Sequence, residues 1–302
     1  MKIKKRTLKL IFVVFLILIL AFFVFKFMNK PKYKLEGDKI YYSSERGNAE
    51  YKMSLLNDTG TLNIYSINFM SRAFLDKDAR IYGWLFMPRG KENLPGLVLL
   101  PGGGVSKEAE ARLASIISNW GYAVLTIDQR GIGETGGNYP NMEEDYNIFL
   151  EGKEPIQHLS VYDTLKSFDV LGMIEGVDKN NIAIAGESMG ARYAIIAAAI
   201  EKRFKGVIVI SSAGFHVKNS NLASNPYLMS IDPDNYISDI SPREVFMVHG
   251  TNDSTVNIKD AEYTFSLAKE PKKFFIAEGC KHGYCDKMEE ELKEDLIVLF
   301  NK

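Results

Sequence analysis

Ser188 stands between two glycines in Gly186-Glu187-Ser188-Met189-Gly190, directly after the small apolar run Ile182–Ala185. A serine hydroxyl is a weak nucleophile until a base takes its proton, and the base, a histidine, needs a carboxylate to set its tautomer. The chain has 4 histidines. His158 opens a helical pattern before the serine, His216 lies in a long connection, and His249 ends an apolar run, where a packed ring is expected. His282, in Cys280-Lys281-His282-Gly283-Tyr284 just past the last strand pattern, is the expected base. Asp253, in the turn after Val245–Val248, is the expected acid, and Asp260 is the fallback although its surroundings read as helix. A negative oxygen at an attacked carbonyl needs two N–H donors. Met189 supplies one by following Ser188, and the glycine run Gly102-Gly103-Gly104 supplies the other, Gly103 first and Gly104 second. That run lacks the spacing and the trailing Lys-Ser/Thr of a phosphate-cradling loop. The chemistry these residues can do is acyl transfer through Ser188, Asp253 and His282, with no metal or organic cofactor implied.

Such a serine must be held by a sharp strand-to-helix turn, where side chains two before and two after it would collide with the flanking elements. Ala191 to Ile200, rich in Ala and Ile, is the helix that follows. Its N-terminal amides favour a developing negative charge. From Gly96 onward strands alternate with helices: strands over 97–100, 123–128, 182–185, 206–211, 245–248 and 274–277, and helices over 108–120, 158–171, 191–200, 258–269 and 287–300. This rhythm predicts an α/β fold whose mostly parallel central sheet is covered by helices on both faces. Two strands over 62–72 and 79–87 lead it in antiparallel fashion. Gly131–Gln157 and Ala213–Arg243 are long connections leaving C-terminal strand ends, the positions of binding loops in open α/β sheets. Their Tyr139, Tyr146, Phe149, Phe215, Tyr227 and Tyr236 line a pocket or pack the loops.

With these residues in place, the chain resembles an α/β-hydrolase of the serine esterase and peptidase superfamily over residues 80–302. The segments that carry the likeness are LPGGGVSKEAE, TIDQRGIGETGG, AGESMG, VHGTND and KHG. Closest in pattern are the acetyl xylan esterase, dienelactone hydrolase and prolyl-oligopeptidase-like branches. The resemblance implies a nucleophile elbow at Ser188 and the chain order serine, acid, histidine. It also implies mostly structural roles for Asp128 and Arg130. Pro101 stands where a histidine often opens the oxyanion loop, a departure from the lipase-type pattern. The implied function is hydrolysis of an ester (acyl) bond in a small molecule, with a peptide substrate or acyl transfer as the alternative on the same fold. A non-catalytic binding module is the reading from another class.

Composition bounds the rest. The 302 residues are 46% hydrophobic and 25% charged, enough for one large domain with its own core. Residues 1–34 carry nine Lys/Arg and no acidic side chain, and the acidic remainder argues against a nucleic-acid partner. Leu10–Phe25 is an unbroken apolar run flanked by Lys9 and Lys26, long enough to span a bilayer if both lysines snorkel. A cleaved signal peptide and a buried core helix compete, but Ala21-Phe22-Phe23 is no cleavage site and the run has no polar face. The expected division is a basic tail at 1–8, a single-pass transmembrane signal anchor at 9–28, stalk and peripheral strands at 29–60, and the catalytic domain at 61–302. The basic excess before the span favours a domain outside the cytoplasm. The 2 cysteines, Cys280 and Cys285, flank His282 and are open to three states: a disulfide, reduced packed thiols, or a zinc site short of a fourth ligand.

Overall fold

Strands that are apolar on both sides need cover on both sides, and the centre of this molecule is built from them. In the computed structural model, which describes residues 13–20, 33–47, 49–75, 77–137, 139–222 and 224–300, every residue of β7 (Ala123–Ile127), β9 (Gly206–Ile210) and β10 (Glu244–Gly250) is buried. With β6 (Leu94–Leu100), β8 (Val177–Glu187) and β11 (Lys272–Ala277) they form the parallel part of a nine-stranded sheet. Its order is β11-β10-β9-β8-β6-β7-β5-β4-β3. The last three, β3 (Tyr51–Asp58), β4 (Leu62–Phe74) and β5 (Lys77–Pro88), are antiparallel.

Helices Ala111–Asn119 and Glu289–Phe300 cover one face through Leu113, Ile117, Leu292, Leu296 and Leu299. Ile156–Leu171, Ser188–Ile200 and Ile258–Leu267 cover the other, burying Leu165, Phe168, Ile195 and Ala261. The predicted α/β architecture is therefore present. β8 is longer than its apolar run because the polar stretch Asp178–Asn181 continues the strand half in solvent, where no hydrophobic signal marks it. Helix 108–120 is split into a tight turn at Lys107–Glu110 and the α-helix from Ala111.

The two long connections are not plain loops. The first carries the helix Met142–Leu150, opened by a reciprocal capping box between Asn141 and Glu144. The second carries a short helix, Pro226–Ile231, capped by Asn225. The two are tied together: buried Asp145 accepts from the Tyr227 hydroxyl at 2.7 Å and caps the next helix through the Ile156 and Gln157 amides. Tyr227 and Tyr236 are wholly inside, so these rings pack the connections.

The hairpin β1 (Lys34–Glu36) and β2 (Lys39–Tyr41) lies against the domain, with Tyr33, Ile40 and Tyr42 in the core. Residues 13–20 are helical with exposed apolar side chains from Val13 to Leu20. The remainder of the expected 9–28 span lies outside the described residues, as does the 1–8 tail. Among the described residues no helix is long and apolar enough to cross a membrane.

Candidate active site

Ser188 sits where β8 ends and its helix begins, with φ +49°, the left-handed region that side chains rarely enter. The flanking glycines allow it. A Cβ on Gly186 would lie 2.6 Å from the Gly190 carbonyl carbon, and one on Gly190 would strike the carbonyl oxygens of Leu100 and Pro101. The Gly190 contact also fixes where the glycine run goes. A Cβ on Gly102 would be 3.6 Å from the Ser188 Cβ, and one on Gly103 3.1 Å from the end of the Met189 side chain. Gly104, at φ +76°, faces open space. Of the expected oxyanion residues, Gly103 is thus set against Met189 at the head of the serine helix.

His282 and Asp253 meet. Nδ1 of the ring lies 2.8 Å from Oδ2 of a carboxylate with no exposed side-chain surface, while the ring itself is partly accessible. The other Asp253 oxygen accepts from the Thr255 and Val256 amides. Burial alone would raise this carboxyl; the Val256 amide, the His282 ring and the Thr255 amide outweigh it and hold it below the usual range. The acid turn and histidine loop are joined by Asn252 N–H to Cys280 O at 2.9 Å and Thr251 N–H to Ala277 O at 3.1 Å. Cys280 and Cys285 are bonded in a disulfide that closes the loop around His282, which settles the state of the pair.

The remaining candidates go elsewhere. Asp260 lies in the Ile258–Leu267 helix, 3.6 Å from His216 Nε2 and not on His282. His216 is held by Asp234 at 2.6 Å. His158 is buried, pushed down to about 3 by that burial, with Nε2 2.7 Å from Ser230 Oγ. His249 is packed as expected and donates to Val256 O beside Asp253. Among the described residues, Ser188 Oγ makes no hydrogen bond to the His282 ring. The two are instead linked through Glu187, whose Oε1 accepts the Tyr284 N–H at 3.0 Å, so the residue before the serine grips the segment just after the histidine. A serine–histidine contact of this kind commonly tightens when substrate binds.

Several supporting residues carry no local sequence signal. Gln129 Nε2 donates to Pro101 O at 2.8 Å and pins the start of the glycine loop. Asp128 accepts from the Lys107 backbone and ammonium and from Glu134 N–H, which holds the turn after that loop. The structural role implied for Asp128 therefore has a visible basis, and Arg130 likewise forks onto Asp163. Ser212 Oγ donates to Ser188 O at 2.6 Å. Glu110, at the end of the same turn, is buried, and burial reinforced by the Glu187 charge pushes it up to about 9. Burial also raises Glu187, against the pull of the Tyr284 N–H and His282.

The chain is similar to several known proteins. The chain is 23% identical over 237 residues to the uncharacterised protein YfhR of Escherichia coli K12, covering 74% of this chain and 78% of that one. It is 24% identical over 230 residues to YfhR of Salmonella typhi, covering 69% and 73%. Among solved structures, the acetyl xylan esterase from Paenibacillus sp. R4 superposes with TM-score 0.69 at 20% identity, over 84% of this chain and 90% of that one. The glucuronoyl esterase from Solibacter usitatus gives 0.64 at 14% identity, over 84% and 86%. These likenesses show the α/β-hydrolase fold. Residues 45–215, more than half of the chain, match the acetyl xylan esterase (AXE1) family, and the chain belongs to that family of serine hydrolases.

Proposed function

We propose that this protein hydrolyses carboxylic esters of small molecules through an acyl-enzyme on Ser188. The observation that carries the reading is the 2.8 Å bond between His282 Nδ1 and buried Asp253, in a loop fastened to the residue beside Ser188. Asp253 fixes the tautomer with Nδ1 protonated, which leaves Nε2 free to take the serine proton. Ser188 Oγ attacks the acyl carbon, and the oxyanion is received by the amides of Met189 and of Gly103, with Gly104 as the alternate donor. The imidazolium then gives its proton to the leaving alcohol. Water, deprotonated by the same ring, attacks the acyl carbon, and the imidazolium returns the proton to Ser188 Oγ as the acyl–oxygen bond breaks and the acid leaves. No step asks for a metal or an organic cofactor. Family membership makes acetyl esters the first class to offer.

The test is fluorophosphonate labelling of the full-length protein beside Ser188→Ala and His282→Ala, followed by rates on acetyl, butyryl and octanoyl esters and a peptide anilide. Labelling confined to the wild type, with acetyl turnover dominant, is expected. An unlabelled folded wild type would sink the reading, and anilide turnover above ester turnover would move it to a peptidase. The apolar run Leu10–Phe25 with its basic flanks supports a second part of the proposal, that the domain is held outside the cytoplasm by a single-pass N-terminal anchor. Release of the full chain from membranes by alkaline carbonate would refute the anchoring.

A further inference from the structure

The acidic domain carries a strongly positive hollow, and it lies at the end of the sheet away from Ser188. Lys179 and Asn180 near the start of β8, Lys205 just before β9, and Arg243 and Glu244 at the start of β10 line a cavity of about 420 Å³, together with Lys202 and Arg203 after the serine helix. Only Arg203 among these cations is tied to carboxylates of the described residues, those of Glu201 and Asp169. Lys179, Lys202, Lys205 and Arg243 make no ion pair among the described residues.

Two of the four are oriented by neutral carbonyls, which fix position without cancelling charge. Lys202 Nζ donates to Asp239 O at 2.8 Å. Arg243 donates to Ile240 O, Glu201 O and Phe204 O, while its Nη2 is buried with no partner. An unpaired buried guanidinium nitrogen is costly unless something accepts from it. Burial, with the Arg243 and Lys39 charges, also pulls the Lys202 ammonium below its ordinary range, Asp239 acting the other way. Glu244 is the one acid on the wall.

We propose that this hollow binds a phosphoryl group. Ammonium and guanidinium groups brought to one hollow from the starts of three strands suit a tetrahedral dianion better than a planar carboxylate, which two donors satisfy. The ligand is not the ester substrate. From Asn180 to Ser188 the path follows β8 for about 26 Å at ~3.3 Å per residue. Its source is indicated by what lies alongside. The chain arriving from the N-terminal apolar segment docks by Lys39 to the Asp239 carboxylate and by Ile40 N–H to the Tyr236 hydroxyl. Asp239 is the residue whose carbonyl holds Lys202. A lipid phosphate at the membrane surface and a free phosphate share this chemistry.

The experiment uses the full-length protein in neutral detergent, titrated separately with inorganic phosphate and with dihexanoyl phosphatidylglycerol, ionic strength being held constant with chloride. Heat of binding and melting temperature are read for the wild type, for Lys179→Gln/Lys205→Gln, and for Lys202→Gln. Saturable binding is expected, weakened at least about tenfold in the double variant, for which two charged contacts are lost. Acetyl-ester turnover and unliganded melting temperature are expected to stay at wild-type values. Binding of inorganic phosphate marks a free-phosphate source, and binding of the lipid alone marks a headgroup; either supports the site. The proposal is overturned if neither ligand titrates beyond chloride, or if the variants titrate as the wild type does.

Discussion

Replacing Glu110 by Gln should make the protein more stable, and increasingly so as pH rises. Glu110 is 2% exposed, at the end of the turn that follows the glycine loop, with the Glu187 carboxyl as its charged neighbour. Burial makes the charged form costly, and the Glu187 charge adds to that cost, so Glu110 keeps its proton to about 9 against an ordinary 4.5. The folded value lies above the unfolded one. Stability from this group is therefore complete below about 4.5 and is lost as pH climbs toward 9, because the unfolded chain releases a proton that the folded chain retains. The slope is about 1.4 kcal/mol per pH unit for one full proton. Between about pH 6 and about pH 8 the wild type should lose on the order of 2 kcal/mol that the Glu110→Gln variant, having no proton to release there, does not. The assay is urea unfolding followed by circular dichroism, wild type and Glu110→Gln side by side, so that titrating groups other than Glu110 and its neighbour Glu187 cancel in the difference. A difference that stays flat with pH would refute the reasoning.

Asp253→Asn should lower kcat by about 10⁴ through the wrong ring tautomer, with melting temperature little changed; a loss under tenfold in steady-state turnover would remove Asp253 from the triad. Gly103→Ala should fold, because its Cβ meets only the flexible end of Met189, whereas Gly190→Ala should not, because its Cβ meets the backbone of Leu100 and Pro101. Expression and thermal melting of the pair check this, and equal behaviour would show that the elbow is less tightly packed than described. Reduction of the Cys280–Cys285 bond should cost about 2 kcal/mol, the chain-entropy value for so short a loop, and depress turnover by loosening His282. Unchanged turnover after thiol quantitation would show that the histidine loop is held by Glu187 and Asn252 without it.

Local residues settled much of this protein. The glycines around Ser188, the apolar strand before it and the Ala-rich helix after it are neighbours in sequence, and a backbone turn is decided by its neighbours; the elbow is legible for that reason. The alternation of apolar strands and helices from Gly96 onward likewise announces a covered parallel sheet; the helix Met142–Leu150 lies inside what the sequence reading leaves as a long connection, although its capping pair Asn141 and Glu144 is a local signal for it. Partners distant in sequence are another matter. That Asp253 and not Asp260 faces His282 depends on a helix turning Asp260 toward His216. The grip of Glu187 on Tyr284, the hold of Gln129 on Pro101 and the shared burial of Glu110 with Glu187 join segments that only the sheet order makes adjacent. The cationic hollow is the extreme case, since its lysines and arginines come from the starts of separate strands and look, one at a time, like ordinary surface charge. Side-chain type and short-range spacing determine what an element is, while the packing of elements determines which charges must share a space, and that is where the chemistry of this chain was decided.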